Sequence, residues 1–140
     1  MSKINWARVL LGGLLAGLVL NLLGMTAAHL FLGEELHALH HRLDLPTPGT
    51  SQFAVHLGIR FALGIVLVWF YAAIRPRFGP GPRTAIIAST AVWLMTSVMF
   101  FAAMGVLGLF SSRIVCLALA WGFLEFQIAS QAGAWLYREP

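Results

Sequence analysis

The sequence predicts an all-α fold: a four-transmembrane-helix antiparallel bundle with a short interfacial helix in the first outward loop. Three observations carry this. Of the 140 residues, 59% are hydrophobic and only 10% are charged, and the mean hydropathy is +0.83, whereas a soluble domain carries about 25% charged residues. Four apolar stretches each reach the roughly 20 residues that a helix needs to cross about 30 Å of hydrocarbon. The breaks between them are short and rich in turn formers. A chain of this size has too few polar groups to cover a water-facing surface. An ordinary cytosolic enzyme, a disordered chain and a disulfide-stapled secreted domain are therefore excluded. The single cysteine, Cys116, lies within an apolar run and has no partner for an intramolecular disulfide.

The length fits one domain, residues 1–140, with spans over about 6–32, 53–74, 84–110 and 114–137. In lipid every backbone polar group must be bonded within its own segment, so these runs are helices. The first span also has the layout of a secretory signal, with Lys3 and Arg8 ahead of an apolar core and small residues at Ala27 and Ala28. Its apolar run continues through Leu30, Phe31 and Leu32, which favours a retained span. After it, Leu36, Leu39 and Leu43 recur at helical spacing, the pattern of a short amphipathic helix lying in the headgroup boundary. The second span begins after Pro46-Thr47-Pro48-Gly49. Residues 75–83, Arg-Pro-Arg-Phe-Gly-Pro-Gly-Pro-Arg, are expected to break the chain between the second and third spans, because prolines cannot continue a helix. Between the third and fourth spans only Ser111-Ser112-Arg113 intervene, which makes those helices antiparallel neighbours with a serine cap.

Lys and Arg near the span ends set the direction of insertion. Lys3, Arg8, Arg75, Arg77, Arg83 and Arg138 fall on the side that carries both termini, and only Arg42 and Arg113 on the other. The expectation is a bacterial inner (plasma) membrane protein with both termini cytoplasmic. Trp6, Trp69, Tyr71, Trp135 and Tyr137 are expected to form an aromatic belt at the cytoplasmic boundary. The net charge of +4 is thus spent on orientation, and no nucleic-acid partner is expected.

Two charges lie inside spans: Arg60 in the second and Glu125 in the fourth. At about 1.5 Å per residue they stand about 14 and 18 Å below the outward surface. Asn21 in the first span and Thr96 and Ser97 in the third fall at a similar depth. Asn21, Arg60, Thr96, Ser97 and Glu125 thus form an expected buried polar layer. Small residues at helical spacing, Gly13, Gly17 and Gly24 in the first span and Ala118, Gly122, Ala129 and Ala132 in the fourth, mark faces where helices approach closely. The simplest expectation is an Arg60–Glu125 ion pair with Asn21 bonded nearby. Such a pair reads either as structural glue that fixes helix register or as a proton or cation site in a transport path. A third reading has Arg60 snorkelling to the interface.

All five histidines map to the outward side. On the loop helix Glu34, His37 and His41 share one face at spacings of three and four, a set able to hold a transition metal such as Zn, Cu, Ni or Fe. His29 and His56, on two different spans, are candidate ligands for a haem within the bundle. Solvated histidines need no ligand, so the base expectation is no cofactor, with metal or haem as the alternative.

No phosphate-binding loop, dinucleotide fingerprint, His-Glu-x-x-His pair or nucleophile elbow occurs, so an enzyme is not expected. The stretches YAAIRPRFGPGPRTA (71–85) and GAWLYRE (133–139) resemble an uncharacterised family of small four-helix bacterial integral membrane proteins. That resemblance implies the four-span layout and carries no activity. The leading expectation is a structural or accessory subunit that packs with itself or a larger membrane complex. The alternatives are a proton- or cation-coupled transporter or channel built on Arg60 and Glu125, or an outward metal- or haem-binding protein. A haem held by His29 and His56 gives the purified protein a Soret band, and a metal on the loop helix registers in elemental analysis. A colourless, metal-free preparation removes both sites.

Overall fold

A computed structural model describes residues 4–138, and every regular element among them is helical. Four helices long and apolar enough to cross a membrane follow one another: α1 (Trp6–Arg42), α2 (Thr50–Phe78), α3 (Pro82–Val106) and α4 (Ser112–Leu136). They form an antiparallel bundle whose two termini meet at one end, where the backbone N–H of Asn5 donates to the Tyr137 hydroxyl at 3.4 Å. We call the half of the bundle nearer that end proximal and the other half distal.

The helix starts follow from the local sequence. Asn5 caps α1 by accepting from the N–H of Arg8, and Ser111 caps α4 by accepting from the N–H of Ile114. Pro82 opens α3 at a position where a missing N–H costs nothing. Three boundaries differ from expectation. The loop helix is not a separate element: α1 runs through a π-turn at Ala28–Leu32 into Gly33–Arg42. Gly33 is helical there (φ −62°, ψ −48°) and its N–H bonds the Ala28 carbonyl. A helical glycine costs about 1 kcal/mol, and no proline interrupts the register.

The break after α2 is also shorter than expected. Pro76 lies inside the helix, in its last turn, and the chain stays helical to Phe78. The turn itself is Gly79-Pro80-Gly81, where glycines at φ 84° and 122° take backbone angles closed to other residues. At the far end α3 stops at Val106, short of the expected residue 110, because Gly108 turns the chain at φ 65°.

The core sits in the proximal half: Val9, Ala16, Leu20, Leu67, Val68, Ala85, Ala88, Val92, Phe126 and Ala129 are all buried. Glycines set how closely the helices approach. Gly13 faces the Ile65 backbone, Gly17 faces Phe61, and Gly12 faces the Gly133 carbonyl; the space where Gly64 lacks a side chain is taken by the backbone of Gly13 and Gly17. Without a hydrophobic drive between helices in lipid, such close packing is a main source of association.

The expected aromatic belt divides in two. Trp6, Trp69 and Trp135 are exposed, but Tyr71 and Tyr137 are buried. Their rings meet edge to face at 6.0 Å, the Arg75 guanidinium stands 5.5 Å over the Tyr137 ring, and the Tyr71 hydroxyl accepts from the N–H of Gly81. These tyrosines fasten the proximal end instead of floating at a lipid boundary. Lys3, counted among the orienting cations, lies outside the described residues.

The distal half is splayed. Beyond Trp93, α3 packs mainly on α4 and turns away from α2, and Met95, Met99 and Val106 are exposed. Gly64→Val drives methyl groups into the α1 backbone and is expected to cost at least about 2 kcal/mol of unfolding free energy in detergent. Gly58→Ala meets no atom within 4 Å and is expected to be neutral or stabilising. Equal melting behaviour of the two variants contradicts the packing described here.

Candidate functional site

Arg60 and Glu125 face each other from α2 and α4. Arg60 Nη2 donates to Glu125 Oε2 at 2.5 Å, and the same nitrogen donates to the Leu20 carbonyl of α1 at 2.5 Å. One guanidinium thus links three helices. Gly24 makes room for it, since a Cβ at that position would strike the guanidinium group. The pair is secluded: the Arg60 side chain is 19% exposed and that of Glu125 7%. Arg60 therefore does not snorkel to an interface. Its Nε–H is buried with no hydrogen-bond partner.

The rest of the expected polar layer is only partly assembled around the pair. Asn21 is buried, but its amide donates to the Gly17 carbonyl one turn back on its own helix at 2.9 Å, and no bond joins it to Arg60 or Glu125. Thr96 bonds the Val92 carbonyl at 2.8 Å. Thr96 and Ser97 lie in a π-turn at Leu94–Val98 of α3, a kind of irregularity that recurs at functional sites.

Above the pair a cavity of about 550 Å³ opens into the distal half. Its floor includes Arg60, Glu125, Thr96 and Ser97, and both π-turns border it through Ala28, Leu32, Thr96 and Ser97. Its walls are apolar and aromatic, with Phe100, Phe101, Trp121 and Phe126 prominent. Trp121 is held in place by donating from Nε1 to the Leu23 carbonyl at 3.1 Å and by an edge-to-face contact with Phe31 at 5.5 Å. Below the pair the glycine-packed proximal half closes the space.

The histidines do not gather. Glu34, His37 and His41 are exposed on the distal extension of α1, and among the described residues no three His, Cys, Asp or Glu side chains come together as a ligand set. His40 instead bonds the Leu36 carbonyl of its own helix at 2.7 Å. His56 lines the cavity a turn above Arg60, whereas His29 is exposed and not part of the lining. The structure thus does not bring His29 and His56 to a shared cofactor pocket.

A second polar seam was not foreseen. Ser89 donates to Gln127 Oε1 at 2.8 Å, Gln127 Nε2 donates to Thr90 at 3.1 Å, and Ser130 donates to the Ala85 carbonyl at 2.9 Å. These bonds stitch α3 to α4 on the proximal side. The signal was present in the sequence: Ser89, Thr90, Gln127 and Ser130 are polar residues inside spans, at matching heights on neighbouring helices.

Comparison with protein-family models, with curated proteins and with solved structures finds no match for this chain. Removing one member of a buried pair leaves an uncompensated charge and typically costs about 3–5 kcal/mol. Arg60→Met and Glu125→Leu are each expected to lower folded yield and melting temperature sharply. The double variant is expected to recover most of the loss, because neither charge then remains. Additive losses in the double variant would show that the two side chains are not coupled.

Proposed function

We propose that this chain is a multi-pass protein of the bacterial inner membrane, with both termini in the cytoplasm. In this reading it is a non-enzymatic structural or accessory subunit that packs with a second copy or with a larger membrane complex. The observation that carries the reading is the contrast between the two halves. The proximal half is closed by backbone-to-backbone contacts at Gly12, Gly13, Gly17, Gly64 and Gly133. The distal half of α3 is left with few neighbours, and Met95, Met99 and Val106 are among its exposed side chains. A single helix held on one side gains contacts when a further helix lies against it, and packing is what drives association in lipid. The direction of insertion is supported by Arg8, Arg75, Arg77, Arg83 and Arg138 at the terminal end, against Arg42 and Arg113 opposite.

A second reading, a proton- or cation-coupled transporter, draws on the access that the distal cavity gives to Glu125. The closed proximal half offers such a path no exit, and the charges of Arg60 and Glu125 already offset each other. The subunit reading is therefore preferred.

In mild detergent the particle is expected to have a protein mass well above one chain's 15.3 kDa. Replacing Met95 and Met99 together by Asn is expected to reduce it to a folded single chain. A monomer throughout, with the native protein unchanged by that replacement, overturns the docking reading. Glu125→Gln is expected to lower stability while proton flux in liposomes stays at background for both proteins. Native flux that the variant abolishes establishes the transporter instead. Fluorescent-protein fusions at either terminus are expected to be bright, as the cytoplasmic assignment requires.

A further inference from the structure

The floor of the distal cavity holds more hydrogen-bond donors than the protein uses. At the floor, Arg60 Nε is buried without a partner and no hydrogen bond engages the Ser97 hydroxyl; Trp93 Nε1, also buried and unpartnered, lies just behind the lining. Two of the three converge: a Cβ built on Gly122 would stand 3.6 Å from Trp93 Nε1 and 3.8 Å from Ser97 Oγ. Gly122 and Ser97 line the cavity beside Arg60. The missing side chain at Gly122 therefore leaves a niche beside the unbonded Ser97 hydroxyl, with Trp93 Nε1 behind it, and a buried donor without an acceptor, as at Arg60 Nε, costs free energy.

The surrounding chemistry narrows what fills that niche. The charge of Arg60 is already balanced by Glu125 at 2.5 Å. An anionic head entering the floor would meet Glu125, with Arg60 already paired and the remaining titratable lining residue, His56, a turn above the floor; a cationic head would meet Arg60 with no spare anion. An uncharged acceptor is what remains, and a carbonyl oxygen suits N–H and O–H donors. The walls are apolar, and Phe100, Phe101, Trp121 and Phe126 present ring surfaces that favour a flat ring. The volume of about 550 Å³ lies within the usual 300–1,000 Å³ range for small-ligand sites. Water alone satisfies donors but does not suit these walls, whereas a plain acyl chain suits the walls but not the donors.

Entry is from the membrane. Ile59 of α2 and Phe100 of α3 line the cavity and are also 55% and 52% exposed, so the space between the diverging helices opens sideways toward lipid. We propose that this cavity binds an uncharged, lipid-soluble ring carbonyl compound, the chemistry of a prenyl quinone. Its head would lie at mid-span against Gly122, Ser97 and Arg60, and its tail would leave between α2 and α3. The inference does not rest on the docking reading: a monomer carries the whole site.

The test uses the full chain in lipid nanodiscs, with decylubiquinone as the probe and quenching of tryptophan emission as the readout. Saturable quenching is expected for the native protein. Gly122→Leu fills the niche from a position where a Cβ meets nothing closer than 3.6 Å, and it is expected to weaken binding about tenfold or more while the protein still folds. Ser97→Ala removes one donor and is expected to weaken it about fivefold. Decanoate and decylamine, with a similar tail and charged heads, are expected not to compete. Unsaturable quenching that is the same in native and Gly122→Leu proteins shows only partition into lipid and overturns the proposal. Equal competition by decanoate overturns the uncharged head.

Discussion

A charge in hydrocarbon has few ways to be stable, and the structure of this chain follows from the one it takes. At a helix centre an arginine costs about 2.5–3.5 kcal/mol on insertion scales, and water is not at hand to screen it. Arg60 meets that cost with the Glu125 carboxylate and the Leu20 carbonyl. Those partners lie on different helices, so the register of α1, α2 and α4 is fixed at one height. Around that point the chain needs only shape: Gly24 leaves room for the guanidinium, and Gly13, Gly17 and Gly64 bring α1 and α2 together below it.

Much of this was legible because lipid simplifies the code. Span number, order and antiparallel sense follow from apolar length and turn residues alone. The mutual depth of Arg60 and Glu125 follows from helical rise. What stayed hidden depends on three-dimensional detail. Nothing in Gly33 says whether it ends a helix or continues it; that depends on whether the following residues keep the register. Pro76 reads as a stop, yet in a last turn its missing N–H removes only one bond. Tyr71 and Tyr137 have the composition of a boundary belt, and only their facing positions on α2 and after α4 turn them inward. Asn21 has the right depth but bonds its own backbone, a local alternative always open to a short amide side chain. Glu34, His37 and His41 lie exposed on one helix, and among the described residues they do not come together as a ligand set, because a shared helical face is not a shared point.

The two halves of the bundle use different kinds of contact. Proximally, backbone approaches backbone, and the polar side chains Ser89, Gln127 and Ser130 act as rivets between α3 and α4. Distally, aromatic rings line the space between helices, and π-turns in α1 and α3 border it. The far rim is tied again, by Arg42 donating to the Leu109 carbonyl at 3.0 Å. Neither residue lines the cavity; the bond ties the distal end of α1 to the turn before α4.

The separation of Arg60 from Glu125 along the chain also has a meaning for biosynthesis. The two are 65 residues apart, so at about 5–20 residues per second the second span is made about 3–13 s before its counter-ion leaves the ribosome. During that interval Arg60 must be sheltered by the insertion machinery, by headgroups or by the backbone of α1. The growing chain stays an open assembly until its last helix arrives, and only then can it leave the insertion site as a closed unit.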